Sequence, residues 1–332
     1  MAEQQEDVFV QKITLIQKGQ PNGEFDLSYL KEITYIETID LSGPKMILLI
    51  DDPFRVIRDE KQVKERNVLE VVLSDRYMRD NMDKTIRFTI LTMPIDGSVI
   101  TFNCLQEVVC SLKTPSKETI LFTEKPVATI LQKLAPGVKT DIATLPVLNS
   151  YHLLPGMRPS KLLRQMAKEY GVMLFWRRGK IVCKKLKEML KAEAKITYYH
   201  NDNNQKENRI ISYTRSNAKS VITDKSVRNF MGWDMVKGIV KSSKAAKSAA
   251  ELVSVSNVPS MDGQLEMPKP AIDIMVLGNG ALVPGITLAL VWNGDRVDMP
   301  IDESLPAKVV ISTVAHRYSS QSYHCRVLGV LP

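Results

Sequence analysis

The sequence predicts a β-rich α+β protein, with a β region, an α+β module and a second β region in that order. Three observations carry this. Short runs rich in β-branched residues, bounded by turn residues, occupy positions 8–105 and return after position 270. Between them lies one strong helical stripe followed at once by an apolar hairpin. The chain has 332 residues, 44% hydrophobic and 25% charged, ordinary values for a folded protein of two or three domains.

Val8 to Ile16 alternates loosely and ends at the turn cluster Gly19-Gln20-Pro21-Asn22-Gly23. Ile33-Thr34-Tyr35-Ile36-Glu37-Thr38-Ile39 has period two, and Gly43-Pro44 breaks it. Met46 to Ile50 is the next strand, closed by Asp51-Asp52-Pro53. Leu69–Leu73, Ile86–Leu91 and Ile100–Leu105 follow at spacings that fit an antiparallel barrel or sandwich.

The middle is different. Pro126 stands at a helix start, Val127, Ile130, Leu131 and Leu134 share one face, and Pro136-Gly137 stops the helix. Pro159-Ser160 starts a second helix, whose apolar stripe is Leu162, Leu163, Met166, Ala167 and Tyr170. Gly171 sits where a left-handed residue ends a helix. Val172–Trp176 and Ile181–Cys183 then form a hairpin around Arg177-Arg178-Gly179-Lys180.

Residues 196–240 read as irregular strands, with an exposed turn at Asn201–Asn204. Lys241–Ala250 is a low-complexity segment, either a solvated helix or a linker, and Val258–Pro270 reads as a loop. Strands return at Ile272–Leu277 and Ile286–Trp292, separated by Gly278-Asn279-Gly280 and a type II turn at Pro284-Gly285. Lys308–Tyr318 and Tyr323–Leu331 make a terminal hairpin.

The net charge is +8, and it is localised. Residues 158–195 hold twelve basic and three acidic residues, net +9, which leaves −1 for the rest. Such a patch is a solvated face, a dock for an acidic partner, or a phosphate-binding surface. The candidate docking residues are Arg177, Arg178, Lys180, Lys184 and Lys185, with the first three at an exposed hairpin tip. Phe175 and Trp176 lie in an apolar run rather than among the cations, which counts against base stacking.

No catalytic constellation emerges. Gly278-x-Gly280 lacks the third glycine of a dinucleotide fingerprint, and no phosphate loop, nucleophile elbow or HExxH occurs. His316, His324 and Cys325 do not have the spacing of a closed zinc site. Asp51-Asp52 and Asp302-Glu303 read as turn formers. Cys104, Cys110, Cys183 and Cys325 lie in or beside apolar runs without paired spacing, as reduced thiols do in a protein folding in a cytosol. No apolar run approaches membrane-spanning length, and the start Met1–Asp7 is acidic, unlike a signal peptide.

Three places together carry a resemblance. They are Ile33–Asp40 with Met46–Asp52 and Leu69–Leu73; Pro159-Ser160 to Tyr170-Gly171 with Gly179–Val182; and Leu282–Gly285 with Val314–Tyr318. In that order they resemble the baseplate hub proteins of contractile phage tails. That family includes the late control protein D group and the hub part of the type VI secretion spike protein VgrG.

The resemblance implies two antiparallel β-barrels of tail-tube type, at 1–110 and 262–332. They flank an α+β module at 111–195, with 196–261 as irregular strands and linker contributing to the second barrel. It also implies a homotrimeric, non-enzymatic adaptor between the hexameric tail tube and a central spike. Other baseplate proteins are further partners, and nucleic acid is met only as cargo in the channel. The expected location is the virion tail, assembled in the host cytoplasm, and no cofactor or metal is expected. The sequence ends at Pro332, so the spike is expected to be a separate chain. The competing expectation is a nucleic-acid-binding protein that uses segment 158–195.

Overall fold

The computed structural model describes residues 9–75, 85–202, 207–216, 229–243, 250–254, 257–264, 268–296, 299–301 and 304–332. The acidic start, residues 203–204, most of the low-complexity segment and Asp302-Glu303 lie outside them.

The first region is an antiparallel sheet. It comprises β1 (Val10–Gln17), β2 (Gln20–Glu24), β3 (Leu30–Thr38), β4 (Lys45–Asp51), β5 (Val68–Leu73), β6 (Thr85–Thr92), β7 (Ile95–Asp96) and β8 (Val99–Gln106). The period-two pattern decides which side is buried. In β3, Ile33, Tyr35 and Glu37 point inward, and Thr34 and Ile36 point outward. Asp52 is a turn former as read from the sequence: its buried carboxylate accepts the Ile57 and Arg58 N–H groups.

Helix α1 (Glu107–Lys113) leads into the α+β module, and no sequence signal had marked it. The module contains β9 (Ile120–Phe122), α2 (Val127–Leu134), β10 (Thr140–Ile142), β11 (Tyr151–Leu153), α3 (Pro159–Tyr170), β12 (Met173–Arg177), β13 (Lys180–Lys184) and α4 (Leu186–Lys191). Helix α3 matches its prediction at both ends. Pro159 is in the first turn, and Gly171 takes φ 62° while its N–H closes on Ala167 and Lys168. Leu162, Leu163, Met166 and Tyr170 are buried against β12 and α1.

The last region holds β14 (Ile196–His200), β15 (Ile210–Arg215), β16 (Asn229–Asp234), β17 (Gly238–Lys241), β18 (Ala250–Leu252), α5 (Val258–Gly263), β19 (Lys269–Leu277), β20 (Thr287–Arg296), β21 (Met299–Ile301), β22 (Lys308–Ser319) and β23 (Tyr323–Leu331). The segment expected as a loop after residue 257 begins instead as helix α5. Asn257 caps it by accepting the Ser260 N–H at 2.8 Å, and Pro259 fits the first turn.

The two β regions are fused. The main sheet runs β15-β19-β23-β22-β3-β4-β8-β6-β5-β1-β2, with β14, β20, β21 and β7 attached beside it. Strand β22 makes the join, because its start pairs with β20 and residues 313–319 pair with β3. Among the described residues these ladders form an open path, with β15 and β2 at its ends, and no closed barrel is seen. The sheet is antiparallel except that β14 pairs with β20 in parallel; β10–β13 and β16–β18 are parallel pairs outside it. Separate apolar cores fill the first β region, the module and the last β region. A seam of Ile39, Phe175, Val182, Leu186, Met189, Val310 and Val330 joins them.

Candidate functional site

The basic segment divides by environment. Arg177 and Lys184 flank the β12–β13 hairpin, and β10 runs beside β13, bringing Asp141 to both. Arg177 Nη2 lies 3.0 Å and Lys184 Nζ 2.7 Å from the same Asp141 oxygen. Lys180 is half-buried and Lys185 is exposed.

Arg178 departs from the expected exposed tip. It is 3% exposed, and its side chain runs inward at the seam between the fused β regions. The turn is tight, with positive φ at Arg178 (46°) and Gly179 (78°), the geometry of a two-residue hairpin loop. Three like charges at one tip would repel, and the fold separates them: Arg178 is inside and Arg177 is paired with Asp141.

Around Arg178 four distant parts of the chain meet. Its backbone N–H donates to Glu37 Oε1 at 2.7 Å, and Nη1 stands 3.8 Å from Glu37 Oε2, an ion-pair distance. Nη2 donates to the Gly280 carbonyl at 2.9 Å. The guanidinium lies 5.0 Å from the Tyr35 ring centre and 5.5 Å from that of Phe9. Gly280 in turn donates its N–H to Asp75 at 2.5 Å. Burial, then Glu37, pushes the Tyr35 phenol well above its ordinary range.

His316 completes the cluster. Its Nε2 is 3.0 Å from the Leu282 carbonyl and 3.3 Å from Arg178 Nη2. Nδ1 lies 3.0 Å from the Tyr323 hydroxyl. The ring stacks on Phe9 at 4.6 Å. Burial first, then the Arg178 charge, holds the imidazole well below its usual pKa. Cys325 Sγ lies 3.2 Å from Nδ1, which in an open site would read as a nucleophile and its base. Both groups are fully buried here, and burial pushes the Cys325 thiol up to about 12. This pair is packing rather than chemistry. His324 stands on the opposite side of the strand from Cys325 and is half-exposed, so the two do not converge on a metal.

Glu37, Asp75 and Phe9 were not singled out from sequence. A signal for Glu37 existed: the alternation of Ile33, Tyr35, Glu37 and Ile39 places a carboxylate on the buried face, which demands a cation.

The fold that emerges is a β-rich one, in which a helix-and-hairpin module is pinned to two fused antiparallel regions, and solved structures of tail proteins share it. The chain is similar to the 43 kDa tail protein of prophage MuSo2 from Shewanella oneidensis. The identity is 14% and the TM-score 0.62, over 97% of this chain and 98% of that one. It is similar to the tail protein from Neisseria meningitidis MC58, at 11% identity and TM-score 0.62, over 96% of each chain. A third likeness is to the E. coli c3393 protein, a component of the type VI secretion system with structural similarity to the T4 bacteriophage tail proteins gp27 and gp5. There the identity is 9% and the TM-score 0.55, over 97% of this chain and 77% of that one. No family model and no curated protein matches the sequence. At these identities the likeness is one of fold: it supports the β-rich tail-protein architecture, while the two closed barrels that the hub resemblance implied are not seen among the described residues.

Proposed function

We propose that this protein is a structural component of a contractile phage tail, the baseplate hub that adapts a tail tube to a central spike. The observation that carries this reading is the extent of the likeness, 97% of this chain against 98% of the MuSo2 tail protein. A match along nearly the whole of both chains is expected of a shared architecture rather than of one common module. In this reading three copies surround a channel, each supplying its two β regions as tube-like units. The domains are those expected from sequence, at 1–110, 111–195, 196–261 and 262–332. The protein is non-enzymatic and resides in the virion tail after assembly in the host cytoplasm. The exposed part of the basic segment, without the buried Arg178, faces an acidic neighbour in the tail.

Light scattering on the purified protein, alone and with its candidate tail tube and spike proteins, tests the reading. Three copies of 37.4 kDa give about 112 kDa. A monomer that stays a monomer in the presence of both neighbours would contradict it.

A further inference from the structure

Once Arg178 is buried and Arg177 and Lys184 share Asp141, the remaining charge of the segment lies largely elsewhere. Lys161, Arg164 and Lys168 are exposed and form one stripe along α3. The single acid of that helix, Glu169, is turned inward, where it accepts from Asn149, Tyr151 and Gln165 at 2.8 Å each. At the start of the stripe, Lys113 of α1 donates to the Ser42 carbonyl at 3.0 Å. Burial, and then Arg164 and Lys45, lower the pKa of this ammonium, and Asp40 is the carboxylate that partly offsets these like charges. At its other end, past Gly171, a cleft of about 400 Å³ opens between α3, α4 and α5. Lys185, Lys187 and Asp262 stand at this cleft, and Tyr170, Leu186 and Pro259 supply the apolar part of its wall.

We propose that the α3 stripe and this cleft form one docking surface for an acidic polypeptide segment. Carboxylates pair along Lys161, Arg164 and Lys168, and one apolar side chain enters the cleft. This deepens the hub reading by naming the surface that meets the acidic neighbour. A polypeptide fits better than a nucleic acid for three reasons. Phe175 and Trp176 are 0% and 1% exposed, so no base can stack on them. Helix α3 is flanked by α1 and α5 and cannot enter a groove as a free helix would. The cleft sets the apolar faces of Tyr170, Leu186 and Pro259 beside the Asp262 carboxylate, which suits an apolar side chain rather than a phosphate.

The test uses the full-length protein and fluorescence anisotropy. One probe is a labelled 16-residue polyglutamate peptide with a central leucine, and the other is a labelled 16-base-pair DNA duplex. The expected result is peptide binding at about 50 mM salt that weakens about tenfold or more by 200 mM. The variant Lys161→Glu/Arg164→Glu/Lys168→Glu should lose about tenfold in affinity. The variant Lys18→Glu/Lys64→Glu/Lys269→Glu carries the same charge change at exposed sites elsewhere and should lose less than about threefold. Replacing the central leucine of the peptide with glycine should cost about threefold. No peptide binding, equal losses in the two variants, indifference to the leucine, or DNA binding about tenfold tighter than peptide would each overturn the proposal. The mass measurement is independent of all these outcomes, so a trimer without peptide binding sinks this surface and leaves the hub reading standing.

Discussion

Replacing Arg178 with alanine should be among the most damaging single changes in this protein. The substitution keeps the backbone N–H bond to Glu37 but removes the nearby cation from a carboxylate that is 0% exposed. Breaking a buried ion pair from one side costs about 3–5 kcal/mol, because the remaining charge stays buried. The Gly280 carbonyl also loses its donor, worth about 1–3 kcal/mol, and the contacts with Tyr35 and Phe9 disappear. These terms overlap, so a net loss of about 4 kcal/mol is expected, close to a thousandfold in the folding equilibrium. Urea unfolding followed by tryptophan fluorescence reads this directly, since buried Trp176 and Trp292 lie in the module and the last β region. The decisive control is Arg178→Met with Glu37→Gln. If desolvated charge is the cause, the double variant should recover at least half the loss, because neutral groups of similar shape do not carry the penalty. A loss under about 1 kcal/mol for Arg178→Ala, or a double variant as unstable as the two single losses added, would refute the reasoning.

Other consequences can be measured in the same way. His316 is neutral in the fold, while an unfolded histidine titrates near 6.5, so below about pH 6.5 the unfolded chain binds a proton that the folded one refuses. Stability should fall as pH falls, by up to about 1.4 kcal/mol per unit, and His316→Gln should flatten that slope between pH 6.5 and 5; an unchanged slope excludes His316 as its source. Gly285→Ala should destabilise far more than Gly179→Ala. Both have φ 78°, but a Cβ at Gly285 would overlap Phe175 while none is met at Gly179, so equal thermal shifts would contradict the seam packing. Native alkylation should modify half-buried Cys110 first. Burial pushes Cys104, Cys183 and Cys325 up to about 12, and mass spectrometry showing any of them reacting as fast would count against their burial. Leu163→Ala should cost about 2–5 kcal/mol in a urea melt, and a negligible loss would mean that the α3 stripe is not core.

Local signals were easiest to read where a single element satisfies its own demands. Helix α3, its Gly171 stop, the following hairpin and the terminal hairpin all depend on residues close to one another in sequence. What sequence did not reveal depends on distant partners. An Arg-Gly turn between two strands reads as a solvent-exposed tip, since such turns usually face water. Arg178 is inside because Glu37 and Gly280, over a hundred residues away on either side, converge on it. Fusion of the β regions through β22 and β3 was equally invisible, because each strand has an unremarkable alternating pattern. The module's parallel β10–β13 pair and helix α5 were missed because both are short and take their stability from tertiary contacts.

The pairing of β22 with β3 also sets a timetable for synthesis. Thr38 must find Thr313, and Glu32 must find Ser319. A ribosome adding about 5–20 residues per second makes β3 on the order of 15–55 seconds before its partner exists. Throughout that interval the edge of β3 is an unpaired template, open to other nascent chains and to holding chaperones. Glu37 waits on the same strand for Arg178. The early strands can condense, but the β22 neighbour of Thr38 arrives 275 residues later (313 − 38). Truncated products that end before β22 should therefore aggregate.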